Sequence, residues 1–223
     1  MFKRFLMVSL LFTTTIAMAT IQDLPRFKVP ANAFVNAPLQ VRRSVRNFQK
    51  NKTLNWLQVS MLFWAAQGVT DMSHGLRTAP SAGALYPLEL YYVDHNAVWH
   101  YLVKKHQLKL MSSGDFRAQL SKAALSQSAI KEASADIVIA GVYQRAMKKY
   151  GKRGIRYTIL ETGHVAQNIL LEAVSIKLAA VPIGAFDDQK VSKVLNLPRG
   201  TYPLYILPVG YAMHRHSRVG GNP

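Results

Sequence analysis

The segment from Asp136 to Tyr143 contains Ile137-Val138-Ile139-Ala140, a short β-branched run with no polar residue to turn towards water. Such a run reads as a strand buried on both faces, and a sheet that holds one needs cover on each side. Leu88 to Val93 and Val98 to Val103 are rich in Tyr, Val and Trp, and the turn-like Asp94-His95-Asn96-Ala97 between them predicts an antiparallel hairpin. Val181 to Phe186 and Leu204 to Val209 are shorter strand candidates. A helix capped by Thr53 is expected from Leu54 to Ala66, with Leu54, Leu57, Met61, Leu62 and Ala65 on its core face and Gly68 as its stop. Further helices are expected over Asp115 to Ala124, Arg156 to Ala179 and Asp188 to Leu195. This order predicts an α+β architecture, a mixed sheet flanked by helices, rather than a doubly wound series.

The chain has 223 residues, of which 49% are apolar and 17% charged, enough apolar surface for one ordinary or somewhat stretched domain and too much for a disordered chain. It has no cysteine, which excludes a disulfide framework, thiolate zinc, an iron–sulfur cluster, a cysteine nucleophile and a lipidated anchor. A net charge of +17 raises the question of nucleic acid. Setting aside Lys3, Arg4, Arg215 and Arg218 at the ends, the cations are spread along the chain, so no nucleic-acid partner is expected. Lys148-Lys149 and Lys152-Arg153, around Tyr150 and Gly151, read as a solvated helix end rather than an anion reader.

The first residues read as an address. Met1 to Arg4 is basic, Phe5 to Ala19 is apolar apart from Ser9 and Thr13-Thr14-Thr15, and Ala17-Met18-Ala19 has the small-x-small form of a cleavage site. A helix spanning a bilayer needs about 20 apolar residues. The expectation is therefore a signal peptide over residues 1–19, cleaved after Ala19, and an exported, periplasmic chain with no stable membrane span. A lead segment over 20–38, a folded domain over 39–210 and a disordered tail over 211–223, carrying His214 and His216, complete the expected layout.

The long helix carries Glu161, His164, Asn168 and Glu172 at helical spacing, a polar stripe among Val165, Ile169, Leu170, Ala173 and Val174. Such a stripe needs a partner: another subunit or a solvated groove on one reading, a bound cofactor on the other. Glu161-x-x-His164 is half of a di-iron motif, but the chain has no second Glu-x-x-His, so no metal is expected.

Three short segments point to an anionic, flat ligand. Arg42-Arg43-Ser44-Val45-Arg46 concentrates forked donors suited to phosphate and carbonyl oxygens. Pro80-Ser81-Ala82-Gly83-Ala84-Leu85-Tyr86-Pro87 offers small side chains that let a ligand approach backbone N–H groups. Pro182-Ile183-Gly184-Ala185-Phe186 repeats that composition at the end of a strand.

These segments, together with Trp64-Ala65-Ala66-Gln67-Gly68, Arg77-Thr78-Ala79 and the helix Glu161 to Asn168, resemble the nitroreductase superfamily from Leu39 to Gly210. Within it the match is to the SagB-type dehydrogenases, whose characterised relatives oxidise azoline rings in ribosomal peptides. The resemblance implies a nitroreductase-like α+β fold and an interlocked homodimer with FMN in a cleft at the interface. It further implies hydride transfer between flavin and a small organic or peptide substrate, with a nicotinamide or other electron donor. Arg42, Ser44 and Arg46 would contact the flavin's phosphate, ribityl chain and pyrimidine edge, with Arg43 nearby. Pro80, Ser81, Ala82, Gly83 and Ala84 would come from the other subunit, and Pro182, Ile183, Gly184 and Ala185 would lie beside the ring.

Ala84 stands where typical nitroreductases have Asn, and Gly184-Ala185 where they have a Glu-Gly pair, so nitro-reduction specificity does not carry over. They also place basic residues near the C-terminus on the phosphate, and here only Arg215 and Arg218 are available. No Gly-x-Gly-x-x-Gly fingerprint is present, so a nicotinamide would share the flavin cleft. Tyr86 and His164 are the candidate proton donors. The competing reading is a non-catalytic flavin- or anion-binding protein that kept the fold.

Overall fold

The computed structural model describes residues 20–26 and 35–213. In chain order the elements are β1 (Ile21–Asp23), α1 (Asn36–Val41), α2 (Trp56–Gln67), β2 (Val69–Asp71), β3 (Leu76–Arg77), a 3-10 turn (Ala82–Ala84), β4 (Leu88–Val93) and β5 (Ala97–Leu102). After a second 3-10 turn (Val103–Lys105) come β6 (Gln107–Ser113), α3 (Arg117–Ala123), α4 (Ser128–Glu132), β7 (Ala135–Gly141), α5 (Tyr143–Tyr150) and α6 (Arg153–Ser175). β8 (Ala179–Ala180), α7 (Asp188–Val194) and β9 (Tyr202–Gly210) close the fold.

β7 is buried along its whole length and lies between β4 and β9 in a seven-stranded sheet of order β1-β6-β5-β4-β7-β9-β8. On one face, Val59, Leu62 and Phe63 of α2 and Val165 and Ile169 of α6 pack on Leu88, Leu90, Ile137, Ile139 and Leu207. On the other, Leu120 of α3, Ile130 of α4 and Val191 of α7 pack on Tyr91, Val93, Val138 and Ile206. A strand with apolar side chains pointing both ways thus has two apolar layers to enter. The α+β expectation is borne out, as is the hairpin of β4 and β5.

The expected mixed sheet is corrected: every strand pairing in it is antiparallel, and the one parallel contact among the described residues is the isolated bridge of Ser44 with Ala180. The strand expected over Val181 to Phe186 is instead β8 followed by a single bridge of Ile183 with Ile206. Pro182, which has no N–H to give, interrupts the ladder between them.

α2 starts two residues later than expected. Gln58 N–H donates to Asn55 Oδ1 at 2.9 Å and Asn55 N–H donates to Gln58 Oε1 at 3.0 Å, a reciprocal capping box. Thr53 is exposed and does not cap, and Leu57, expected in the core, is exposed while Val59, Phe63 and Ala66 are buried. A helix apolar on nearly every side gives periodicity little with which to choose a face.

The segment expected to lead into the domain contributes β1, antiparallel to β6 at the sheet edge. Tyr211 to Met213, expected in a disordered tail, are tied to the segment after α1: Gln49 N–H donates to Tyr211 O at 2.8 Å and Met213 N–H to Asn47 O at 3.0 Å. The expected signal peptide, His214 and His216 lie outside the described residues. No helix among the described residues is long and apolar enough to cross a membrane.

Candidate functional site

Beyond α1 the chain leaves the helix at Arg42 and runs extended beside β8. Val45 N–H donates to Ala180 O at 3.1 Å, and buried Phe48 anchors the segment through its bridge with Ala212. Arg42 is half-buried, while Arg43, Ser44 and Arg46 are exposed. Arg43 Nη1 donates to the carbonyls of Gln40 and Arg42, at 3.1 and 2.7 Å. Among the described residues none of these guanidiniums has an acidic partner. β8 leads into Pro182 to Ala185 on the same ledge. Ile183 is buried and exchanges backbone hydrogen bonds with Ile206, which leaves Gly184 and Ala185 exposed. Gly184 borders a cavity of about 450 Å³ shared with Ile159, Gly163 and Tyr205.

The Pro80–Tyr86 segment is placed elsewhere, over α6 and against the end of α5. Gly83, Ala84 and Tyr86 are left-handed, with φ of +63°, +53° and +46°. For Ala84 and Tyr86 such backbone persists only where its surroundings hold it. A Cβ at Gly83 would lie 2.6 Å from Tyr150 Oη and 3.0 Å from Lys149 Nζ, side-chain ends that would have to shift to admit it. The short run read as a solvated helix end therefore brings two polar groups against this loop.

Five side chains hold the loop from beneath. Ser81 Oγ donates to Glu161 Oε2 at 2.5 Å and accepts from Tyr86 N–H at 2.9 Å. Gln67 Nε2 donates to Glu161 Oε1 at a longer 3.4 Å, Arg77 Nη1 donates to Gln67 Oε1 at 2.8 Å, and Arg77 N–H donates to Tyr86 Oη at 3.1 Å. The Arg77 guanidinium lies 4.2 Å from the centre of the Tyr86 ring. Burial pushes the Glu161 carboxyl up to about 7, against the pull of Ser81, Gln67 and Arg77. Arg145 Nη1 donates to Tyr86 O at 3.2 Å and pairs with Glu89, which His100 Nε2 approaches to 2.6 Å. Burial alone would raise the Glu89 carboxyl, but His100 and Arg145 outweigh it and hold it below its ordinary value.

The polar stripe of α6 finds its partners mostly inside its own chain. Glu161 is buried in the circuit just described, Asn168 Nδ2 donates to Ala65 O of α2 at 3.0 Å, and half-buried Glu172 borders a small cavity with Val35 and Pro38. His164 is exposed. Tyr86 is buried, and its hydroxyl oxygen accepts from Arg77 N–H, which leaves the hydroxyl proton unused by that bond. Gln67 and Arg77 carry roles that sequence reasoning missed; the available signal was a lone amide ending an apolar helix ten residues before an arginine.

The site residues thus form two groups, Arg42–Arg46 with Pro182–Ala185, and Pro80–Tyr86 with Lys149 and Tyr150. Among the described residues no hydrogen bond or ion pair joins one group to the other.

The nitroreductase family model matches residues 39–211. The chain belongs to the nitroreductase family. The superfamily expected from the ordered motifs is thereby borne out. This family member is 39% identical to the nitroreductase-like protein MJ1384 of Methanocaldococcus jannaschii over 175 residues, 76% of this chain and 86% of that one. It is 26% identical to the Microcin B17-processing protein McbC of Escherichia coli over 166 residues, 70% of this chain and 61% of McbC, so it spans less than two thirds of that relative. Its fold is shared with a Ralstonia eutropha nitroreductase-like structure (TM-score 0.78, 24% identity, 87% of this chain and 90% of that one). It is shared also with the Vibrio harveyi NADPH:FMN oxidoreductase complexed with NAD+ (TM-score 0.59, 19% identity, 81% and 69%).

Proposed function

We propose that this chain is an exported, FMN-dependent oxidoreductase of the SagB-like kind, passing hydride between a small organic or peptide substrate and flavin in a homodimer. The observation that carries this reading is the extended segment Arg42–Arg46, whose guanidiniums have no acidic partner among the described residues and which is bridged through Ser44 to Ala180, a few residues before the exposed Gly184 and Ala185. Arg43 spends one nitrogen on the carbonyls of Gln40 and Arg42, but forked donors without acidic partners near small residues suit a phosphate attached to a flat ring, so the donor set fits FMN. The Vibrio harveyi neighbour, an FMN oxidoreductase, supports the cofactor, and McbC, a microcin-processing protein, supports the peptide-modifying branch.

When bound, FMN supplies the hydride chemistry. The chain's own part is to hold and shield. Arg42, Ser44 and Arg46 bind the phosphate end, and the small residues Pro80, Ala82, Gly83 and Ala84 let the ring approach backbone N–H groups. Because the two groups lie apart in one chain, a second copy supplies the other half of each site. Exposed Ile159 and Leu160 of α6 and Leu39 and Val41 of α1 are the apolar faces for that contact. Tyr150 Oη and Lys149 Nζ, against Gly83, join Tyr86 and His164 as candidate groups that hold a proton for the substrate. Export rests on the basic and apolar start of the sequence and its Ala17-Met18-Ala19.

The test is the absorption spectrum of the mature chain from Thr20 onward, reconstituted with FMN and desalted. A retained flavin spectrum that bleaches with a nicotinamide donor or dithionite is expected, with Arg42→Ala/Arg46→Ala losing the flavin while remaining a folded dimer. A folded protein that stays colourless, or a double variant with unchanged flavin occupancy, would overturn the assignment. Retained flavin that no donor reduces would favour the binding-protein reading.

A further inference from the structure

The circuit Ser81–Glu161–Gln67–Arg77–Tyr86 closes on itself, and its polarity is set at the Arg77 end. Arg77 has donors only, so the Gln67 oxygen faces it and the Gln67 amide faces Glu161. At the other end, Tyr86 N–H donates to the Ser81 hydroxyl, which passes its single proton to Glu161. Glu161 accepts on both oxygens, the pattern an ionised carboxylate makes in full, whereas a protonated one gives up an acceptor position to its own proton. The hydroxyl proton of Ser81 is spent in the same step. Ser81 therefore acts on a ligand through the shape of its loop and not by donating to it.

We propose that ionised Glu161 is the positioning residue that holds the Pro80–Tyr86 segment in its flavin-accepting shape, acting through Ser81. This rests on the reading that the segment covers FMN. The loop needs such a brace because Ala84 and Tyr86 occupy left-handed backbone that relaxes unless its surroundings fix it. Burial opposes the ionised state that the circuit favours, so the brace weakens as pH falls. The charged group acting directly on Glu161 is Arg77 of β3. Glu89 of β4, Arg145 of α5 and Tyr86 act on Arg77 in turn, α2 contributes only the neutral Gln67, and His164, one turn along α6, is exposed.

The experiment measures the FMN dissociation constant and, on the flavin-free chain, amide hydrogen exchange over residues 78–88. Wild type, Glu161→Gln, Ser81→Ala and the double variant are compared from about pH 6 to about pH 8, the range spanning neutral titration. Glu161→Gln keeps the shape but turns one acceptor into a donor. Each single variant should raise the dissociation constant at the upper pH by about tenfold, the effect of losing one hydrogen bond to a charged group. The double variant should lose no more than either single one, because all three break one circuit. In the wild type, once the intrinsic slowing of amide exchange at lower pH is divided out, protection of the loop should fall as pH falls, while Glu161→Gln should show no such fall. Wild-type affinity and exchange in both single variants, or losses that add, would overturn the proposal.

If the wild type takes up no FMN, the functional reading fails, while loop exchange in the flavin-free chain still decides on the brace. The pH series on the wild type decides it even if a variant does not fold.

Discussion

Asp136 is completely buried on β7, and neither carboxylate oxygen has a hydrogen-bond partner among the described residues. Burial drives its pKa well above the ordinary value, and the attraction of Arg117 does not offset that. Burial thus favours the neutral form in the fold, whereas the group ionises freely in the unfolded chain. Its contribution to stability is present below the unfolded value of about 4 and is lost as pH rises towards the folded one. Asp136→Asn removes that dependence, and urea unfolding should show the variant gaining on the wild type as pH rises from acid to neutral. A wild-type stability that does not fall relative to the variant would contradict this. Asp136 appears in the sequence only as the first letter of an apolar strand, and nothing in its neighbours there tells that it lacks a partner.

At the level of elements, the start of α2 ties two parts of the fold together. Gln58 Oε1 accepts from Asn55 N–H and also from the Tyr211 hydroxyl at 3.1 Å, so the cap of one helix meets the chain just beyond β9. Asn55→Ala should lower unfolding free energy by about 1 kcal/mol, the usual cost of losing an N-cap. Thr53→Ala, at the residue expected to cap, should change it by less than about 0.5 kcal/mol, as surface substitutions do. Equal effects in chemical denaturation would contradict the observed capping box. The elements most legible in sequence were β4, β5, β7 and α6, where apolar runs and helical spacing are long enough to be unambiguous. β1, β2 and β3 are three residues or fewer, and edge pairing of such short pieces is decided by whatever strand lies alongside. α5 reads only as a solvated helix end around Lys148 and Lys149, since its one buried residue is Ala146.

For the whole molecule, the separation of the two site groups makes quaternary structure part of the proposed function. On α6, Ile155 and Ile159 fall one turn apart with Leu160 beside them, and Ile159 and Leu160 are 53% and 52% exposed. Ile159→Glu with Leu160→Lys should convert the dimer to monomer in light scattering and release the flavin together with it. Contacts central to an interface are worth about 2 kcal/mol each, so dimer affinity should fall by a few hundredfold or more. A dimer that persists in the variant, or a monomer that keeps its flavin, would place the interface or the site elsewhere.

The sequence alone determined the kind of architecture, because a strand apolar on both faces demands two covering layers. It also determined where the cations and small residues cluster, since composition needs no coordinates. Only the tertiary structure decided what those residues meet. Glu161 reads equally as a solvated stripe or a ligand contact until α2, β3 and the Ser81 loop converge on it. The sheet reads as mixed until strand directions are set by the connections. Hydrogen-bond polarity, burial of a carboxylate and the approach of Tyr150 to Gly83 depend on distances between residues far apart in the chain. Local pattern carries no information about those distances.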